Sequence, residues 1–158
     1  MKRTVGISEM IVSTNLDDVL ITYSLGSCIG VTVYDPEAMV GGLIHCMLPL
    51  SKIDTEKARK MPCMFVDTGM PALLQEMFKK GAERRRLITK VAGGSELMDE
   101  KKIFKIGERN YAVLRKLLWK NNILIDAEHV GGQISRTMSL ELATGRTTIK
   151  SKGREWEL

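Results

Sequence analysis

Aromatic side chains are scarce: three Phe, three Tyr and two Trp in 158 residues. The aliphatic residues and ten Met must therefore fill the core. Scarcity also bears on partners. The formal net charge is +5, yet the basic residues are spread along the chain, with one dense run at Arg84-Arg85-Arg86. Without aromatic residues interleaved among them, they do not make a surface for stacking bases. A solvated basic face, able to steer an acidic partner, is the simpler reading. No apolar run approaches the roughly 20 residues of a membrane span. The start, Met1-Lys2-Arg3-Thr4-Val5-Gly6, lacks the apolar stretch of a signal peptide. These absences predict a cytoplasmic protein with no nucleic-acid partner and no membrane insertion.

Cysteine is also sparse, and its number, three, is odd. That does not suggest a disulfide framework, and a reducing cytoplasm would keep all three as thiols. Cys28, His45, Cys46, Cys63 and His129 hold enough sulfur and nitrogen for zinc. No CxxC or HxxxH spacing joins them, so no metal is expected. Gly93-Gly94-Ser95 lacks the GxxxxGK[ST] pattern of a phosphate loop and reads as a turn permitting close backbone approach. No cofactor is implied.

What is present fits one domain over residues 1–158, long enough to bury a core. Short strands are predicted over 3–7 and 10–13, then a strand over 19–23. Residues 51–60 are charged and aperiodic and read as a mobile loop. A helix is predicted from Cys63 or Asp67 through Lys80, with Thr68 as a cap, Pro71 in its first turn and Gly81 as its stop. A strand over 86–92 leads to Gly93-Gly94, and 96–105 reads as a lysine-bearing loop. Residues 108–120 form an amphipathic pattern, with Tyr111, Leu114, Leu117 and Leu118 facing inward. A strand over 123–127 precedes a loop holding His129, Gly131 and Gly132. A second hairpin pairs 139–142 with 147–150. Strands at both ends with two helices between them favour an α+β fold with mixed sheets.

The most informative stretch is 19–49. Two apolar runs flank Asp35-Pro36-Glu37-Ala38, a turn signal, and predict a β-hairpin. If the turn is centred between Pro36 and Glu37, Val33 faces Val40, Ile29 faces Ile44 and Cys28 faces His45. Ile29, Val31, Val33, Val40 and Ile44 then share a core face, and Cys28 and His45 share the other. A bulge at Gly41-Gly42 would change that register. A Cys beside a His is the minimal activated thiol nucleophile; the plainer reading is a buried Cys and a structural His.

Thr22-Tyr23-Ser24-Leu25-Gly26-Ser27-Cys28, followed by His45-Cys46-Met47-Leu48-Pro49, resembles the chemoreceptor glutamine deamidase family of bacterial chemotaxis, CheD. The likeness continues through Phe65-Val66-Asp67-Thr68, Val91-Ala92-Gly93-Gly94-Ser95, Ile106-Gly107-Glu108-Arg109-Asn110, Gly131-Gly132 and Thr144-Gly145. It covers nearly the whole chain in order. The resemblance implies a layered β-sandwich with helices outside, similar to the catalytic domains of deamidating cysteine-hydrolase toxins. It implies hydrolysis of glutamine side-chain amides in chemoreceptors through a Cys thioester. Cys28 would be the nucleophile, its pKa lowered by an imidazolium at His45. Thr22 would orient the imidazole, and backbone N–H groups near Ser27 and Cys28 would meet the substrate oxygen. A CheC-type phosphatase is a further implied partner, and a docking module with little catalysis is the alternative function. The family more often has an acidic residue near His129, which is the rival to His45 as base.

Overall fold

A computed structural model describes residues 1–96 and 105–158. Its strands are β1 (Lys2–Thr4), β2 (Glu9–Ser13), β3 (Val19–Leu25), β4 (Ile29–Asp35), β5 (Val40–Cys46), β6 (Ile88–Gly93), β7 (Ala127–Val130), β8 (Arg136–Glu141), β9 (Thr147–Ser151) and β10 (Arg154–Glu157). Helices α1 (Thr55–Lys60) and α2 (Val66–Lys79) lie between β5 and β6, and α3 (Ile106–Lys120) precedes β7. Most of the loop predicted over 96–105 lies outside the described residues. Among the described residues no helix is long and apolar enough to cross a membrane.

The strands form two five-stranded sheets, ordered β1-β3-β8-β9-β10 and β2-β5-β4-β6-β7. Each is mixed, because β1 runs parallel to β3 and β6 parallel to β7. One core lies between the sheets, built from Leu20, Leu25, Leu43, Met138 and Leu140. A second lies between the outer face of the second sheet and the helices, built from Val31, Ile44, Leu73, Met77 and Leu114. The result is the expected α+β layering of sheet, sheet and helix. Strands β4 and β5 are buried at every position, as a central pair covered on both faces must be. Hence their sequence is nearly continuous in apolar residues.

The hairpin forms, but with a longer loop than the sequence predicts. Pairing closes at Asp35↔Val40 and continues through Val31↔Ile44 and Gly30↔His45 to Ile29↔Cys46. Met39 adopts a left-handed φ of 57°. The Asp35 carboxylate accepts the Glu37 and Ala38 N–H groups at 2.9 and 3.1 Å, so the side chain shapes a four-residue loop. The register therefore shifts by two residues. A shift of two keeps each side chain on its predicted face, and the predicted core face holds. Cys28, however, lies diagonal to His45 rather than directly opposite.

Gly41 and Gly42 carry no bulge; both pair regularly with β2 and β4. A Cβ at Gly41 would come within 2.8 Å of Leu142, and one at Gly42 within 2.9 Å of Leu73. These glycines let the first sheet and α2 approach the strand from opposite sides.

Other boundaries differ for local reasons. Residues 51–60 hold α1, capped by the Asp54 carboxylate on the Lys57 N–H. The helix buries no residue, so no apolar period betrayed it. Helix α2 starts at Val66, while Cys63 sits in a preceding 3₁₀ turn. Thr68 lies inside the first turn and donates to Pro62 O at 2.6 Å instead of capping. Pro71 is deeper in the helix than a first-turn position, and Gly81 follows the end with φ 102° as predicted. The strand expected at 123–127 is displaced to β7, which takes in His129. Strand β10 goes unpredicted; Lys152 and Gly153, both at positive φ, make its tight turn.

Candidate active site

The site lies where the chain crosses from one sheet to the other. In β3, pairing with β8 is regular to Thr22↔Met138 and resumes at Leu25↔Arg136, with a bulge between. Ser24 takes a left-handed φ of 57° within it. The bulge turns Leu25 into the inter-sheet core, and Gly26-Ser27-Cys28 carries the chain across to β4. Bulges beside functional groups re-aim the chain in this way. Cys28 is half-buried and packs against the inter-sheet core. His45, one residue from the end of β5, is fully buried.

Thr22 and His45 come from opposite sheets and meet. Thr22 Oγ1 donates to Val5 O at 2.7 Å and lies 2.7 Å from His45 Nδ1. A hydroxyl has one proton. With that proton on Val5 O, Nδ1–H must donate to Thr22, and Nε2 must carry the free lone pair. His45 Nε2 is buried and has no hydrogen-bond partner among the described residues. His45 pairs with Gly30 and Cys28 immediately precedes β4, so the two residues lie toward the same end of the hairpin on its inter-sheet side.

Burial dominates the electrostatics. Desolvation pulls the His45 pKa down to about 4. It pushes the Cys28 thiol up, against the opposing effect of its own backbone N–H. The resting pair is therefore a neutral thiol and a neutral imidazole. Both shifts run against the expected imidazolium–thiolate pair, because burial penalises either charge.

The crossover loop is held by its carbonyls. Ser95 N–H donates to Gly26 O, Asn110 Nδ2 to Ser27 O and Gly94 N–H to Cys28 O, each at 2.9 Å. Among the described residues, the N–H groups of Ser27 and Cys28 donate to no backbone carbonyl. Gly93, at φ 106°, permits the approach, since a Cβ there would overlap Cys28 O. The close-approach reading of Gly93-Gly94-Ser95 holds. The sequence reading missed Asn110 and Arg136. Asn110 left one signal, a polar amide on the same helical stripe as Leu114 and Leu118.

His129 stands apart. It lies on β7 in the row His45, Gly30, Ala92, His129 across the second sheet. Three strand spacings of about 4.8 Å separate the two histidines. Its Nδ1 accepts from Arg136 Nε at 2.7 Å, and its ring meets Trp156 edge-on at 4.8 Å. Burial, then the Arg136 charge, lower its pKa. Cys46 and Cys63 pack on the helix side of the second sheet, so the conceivable zinc ligands are split between two faces. Among the described residues no group of three or more metal-ligating side chains assembles.

A thiol, an imidazole of fixed tautomer and N–H groups that meet no backbone carbonyl among the described residues are equipment for attack on a carbonyl carbon and hydrolysis. Comparison with known proteins specifies the family. The family model for CheD chemotactic sensory transduction matches residues 47–151. A relative from Syntrophus aciditrophicus, a probable chemoreceptor glutamine deamidase CheD 1, is 48% identical over 94% of this chain and 93% of its own. One from Solibacter usitatus, a probable chemoreceptor glutamine deamidase CheD, is 49% identical over 98% of this chain and 91% of its own. A third, of the same description, from Pyrococcus horikoshii is 39% identical over 92% and 90%. The chain belongs to the CheD family.

Proposed function

We propose that this protein is a chemoreceptor glutamine deamidase, hydrolysing glutamine side-chain amides to glutamate and ammonia in the cytoplasm. The observation that carries the reading is the Thr22–His45 hydrogen bond, which leaves Nε2 as a base on the inter-sheet face shared with Cys28. As Cys28 Sγ attacks the carboxamide carbon, His45 Nε2 takes the thiol proton. The oxygen gains charge against the Ser27 and Cys28 N–H groups. The imidazolium returns the proton to the nitrogen, and ammonia leaves a thioester. His45 then deprotonates water, which adds to the thioester carbon. Cys28 departs, is reprotonated, and glutamate is released. Docking of a CheC-type phosphatase is compatible with this chemistry, since a partner helix laid over the Cys28 mouth would exclude the receptor.

The test is mass spectrometry of a receptor cytoplasmic fragment after incubation with the protein. The expected result is Gln→Glu conversion by the wild type and none by Cys28→Ser. His45→Ala turns over at least about a hundredfold more slowly, whereas His129→Ala keeps its rate. Conversion by Cys28→Ser at the wild-type rate overturns the proposal.

A further inference from the structure

We propose that Asn110 is a positioning residue for the reaction: its side-chain amide ties the Cys28 loop to the end of the His45 strand and so sets their relative placement. The inference rests on the deamidase reading above. Asn110 is fully buried on α3. Its Nδ2 donates to Ser27 O at 2.9 Å and Met47 O at 3.0 Å. Two carbonyl acceptors fix which end of the amide is nitrogen. Its Oδ1 is then buried and takes no hydrogen bond among the described residues. Leaving such an acceptor unpaired costs about 1–3 kcal/mol. A space-filling residue would avoid that penalty, as Leu114 and Leu118 do further along the helix.

The location gives the cost a purpose. Ser27 precedes Cys28, and Met47 lies two residues beyond His45. The β4–β5 ladder stops at Ile29↔Cys46. Past that point the backbones part: Met47 and Leu48 N–H groups both turn to Met64 O, at 2.9 and 3.0 Å, and Cys28 O is taken by Gly94. Among the described residues, the Asn110 amide bridges the gap. Helix α3 is a firm base for it, because Gly107 abuts the backbone of Gly94 and Ser95 so closely that a Cβ would overlap them. Acid–base transfer needs heavy atoms within about 2.6–3.2 Å. A displacement near 1 Å can cost about a hundredfold in rate.

The experiment measures Cys28 alkylation by iodoacetamide at neutral pH, mapped by peptide mass spectrometry, alongside kcat and KM for receptor deamidation. Asn110→Ala should slow alkylation and kcat together by about tenfold or more, with KM unchanged. Asn110→Ser, keeping one donor, should fall between. In a His45→Ala background Asn110→Ala should add nothing, since its effect passes through the pair. A merely structural loosening would instead expose Cys28 and speed alkylation. A lower melting temperature with wild-type kcat, or an equal slowing without His45, overturns the proposal and leaves the deamidase reading standing. If Asn110→Ala does not fold, Asn110→Ser decides; loss of fold in both also overturns it. If His45→Ala itself leaves Cys28 alkylation unchanged, the pair fails and both readings fall.

Discussion

His45 should make the protein sensitive to mild acid, and the size of the effect follows from its burial. In the unfolded chain a histidine titrates near 6.5; folded, His45 is held down at about 4. Between those values the unfolded state binds a proton that the folded state refuses. Stability therefore rises with pH in this window and is lost as pH falls through it. From pH 7 to pH 5 the loss from this group is about 2 kcal/mol, and the full span to below pH 4 gives about 3 kcal/mol. With a urea slope of about 2 kcal/mol/M, the midpoint should drop by roughly 1 M between pH 7 and pH 5. Asp35 does not confuse this window. Burial pushes Asp35 up, but Arg86 and the N–H groups of Glu83, Ala38 and Glu37 bring it down to about 2, so it acts below 3.8. His129, also lowered, adds in the same direction. The comparison is therefore with His45→Asn, whose amide can still donate to Thr22. That variant should lose the His45 share of the shift and keep any due to His129. An identical pH 7 to pH 5 loss in the two proteins would refute the claim that His45 is buried neutral.

Thr22→Val, nearly isosteric, should reduce kcat by about tenfold or more, because Nδ1–H loses the acceptor that selects the tautomer. It also strands buried polar groups, at about 1–3 kcal/mol each; a stability loss with intact kcat would reduce Thr22 to a plain strand residue. Arg86→Ala should destabilise the protein, since it leaves the fully buried Asp35 carboxylate without its cation. Urea unfolding checks this, and a loss below about 1 kcal/mol would mean that the backbone N–H groups alone hold Asp35.

Much of the site was legible because side-chain alternation survives errors of two. The predicted turn is two residues shorter than the loop that forms, yet Cys28 and His45 still lie on one face and Cys46 on the other. The carboxylate of Asp35 decided the loop length, and nothing in local propensity reveals that both Glu37 and Ala38 N–H groups would turn to it. His129 was misplaced for another reason. A four-residue edge strand before a Gly pair carries too little apolar pattern to be told from a loop, and its parallel partner β6 lies far back in the chain. Asn110 and Arg136 escaped because their roles are tertiary. Arg136 is buried and donates to His129 Nδ1, Gly93 O, Ser95 Oγ and Gly131 O. It ties together two glycine loops whose proximity no spacing encodes. The effect of burial on the pair is not legible either, because a sequence names the pair but not its solvent.

The neutral pair follows from where the fold puts it. A chain that leaves one sheet and enters another must pass through residues that belong to neither ladder, and here these are Gly26, Ser27 and Cys28. Their carbonyls are satisfied by Ser95, Asn110 and Gly94, while the Ser27 and Cys28 N–H groups meet no backbone carbonyl among the described residues. The same crossover sets Cys28 at the edge of the inter-sheet core, where water is too sparse to stabilise a resting ion pair. In the reaction proposed above, charge would develop only when a carbonyl arrives: the thiol proton would move to Nε2 as the new negative charge falls on an oxygen facing N–H donors. Separated ions are never buried without partners. On the proposed mechanism, the sheet-to-sheet crossing would supply the nucleophile's place, its neutrality at rest and the donors that answer the charge it creates.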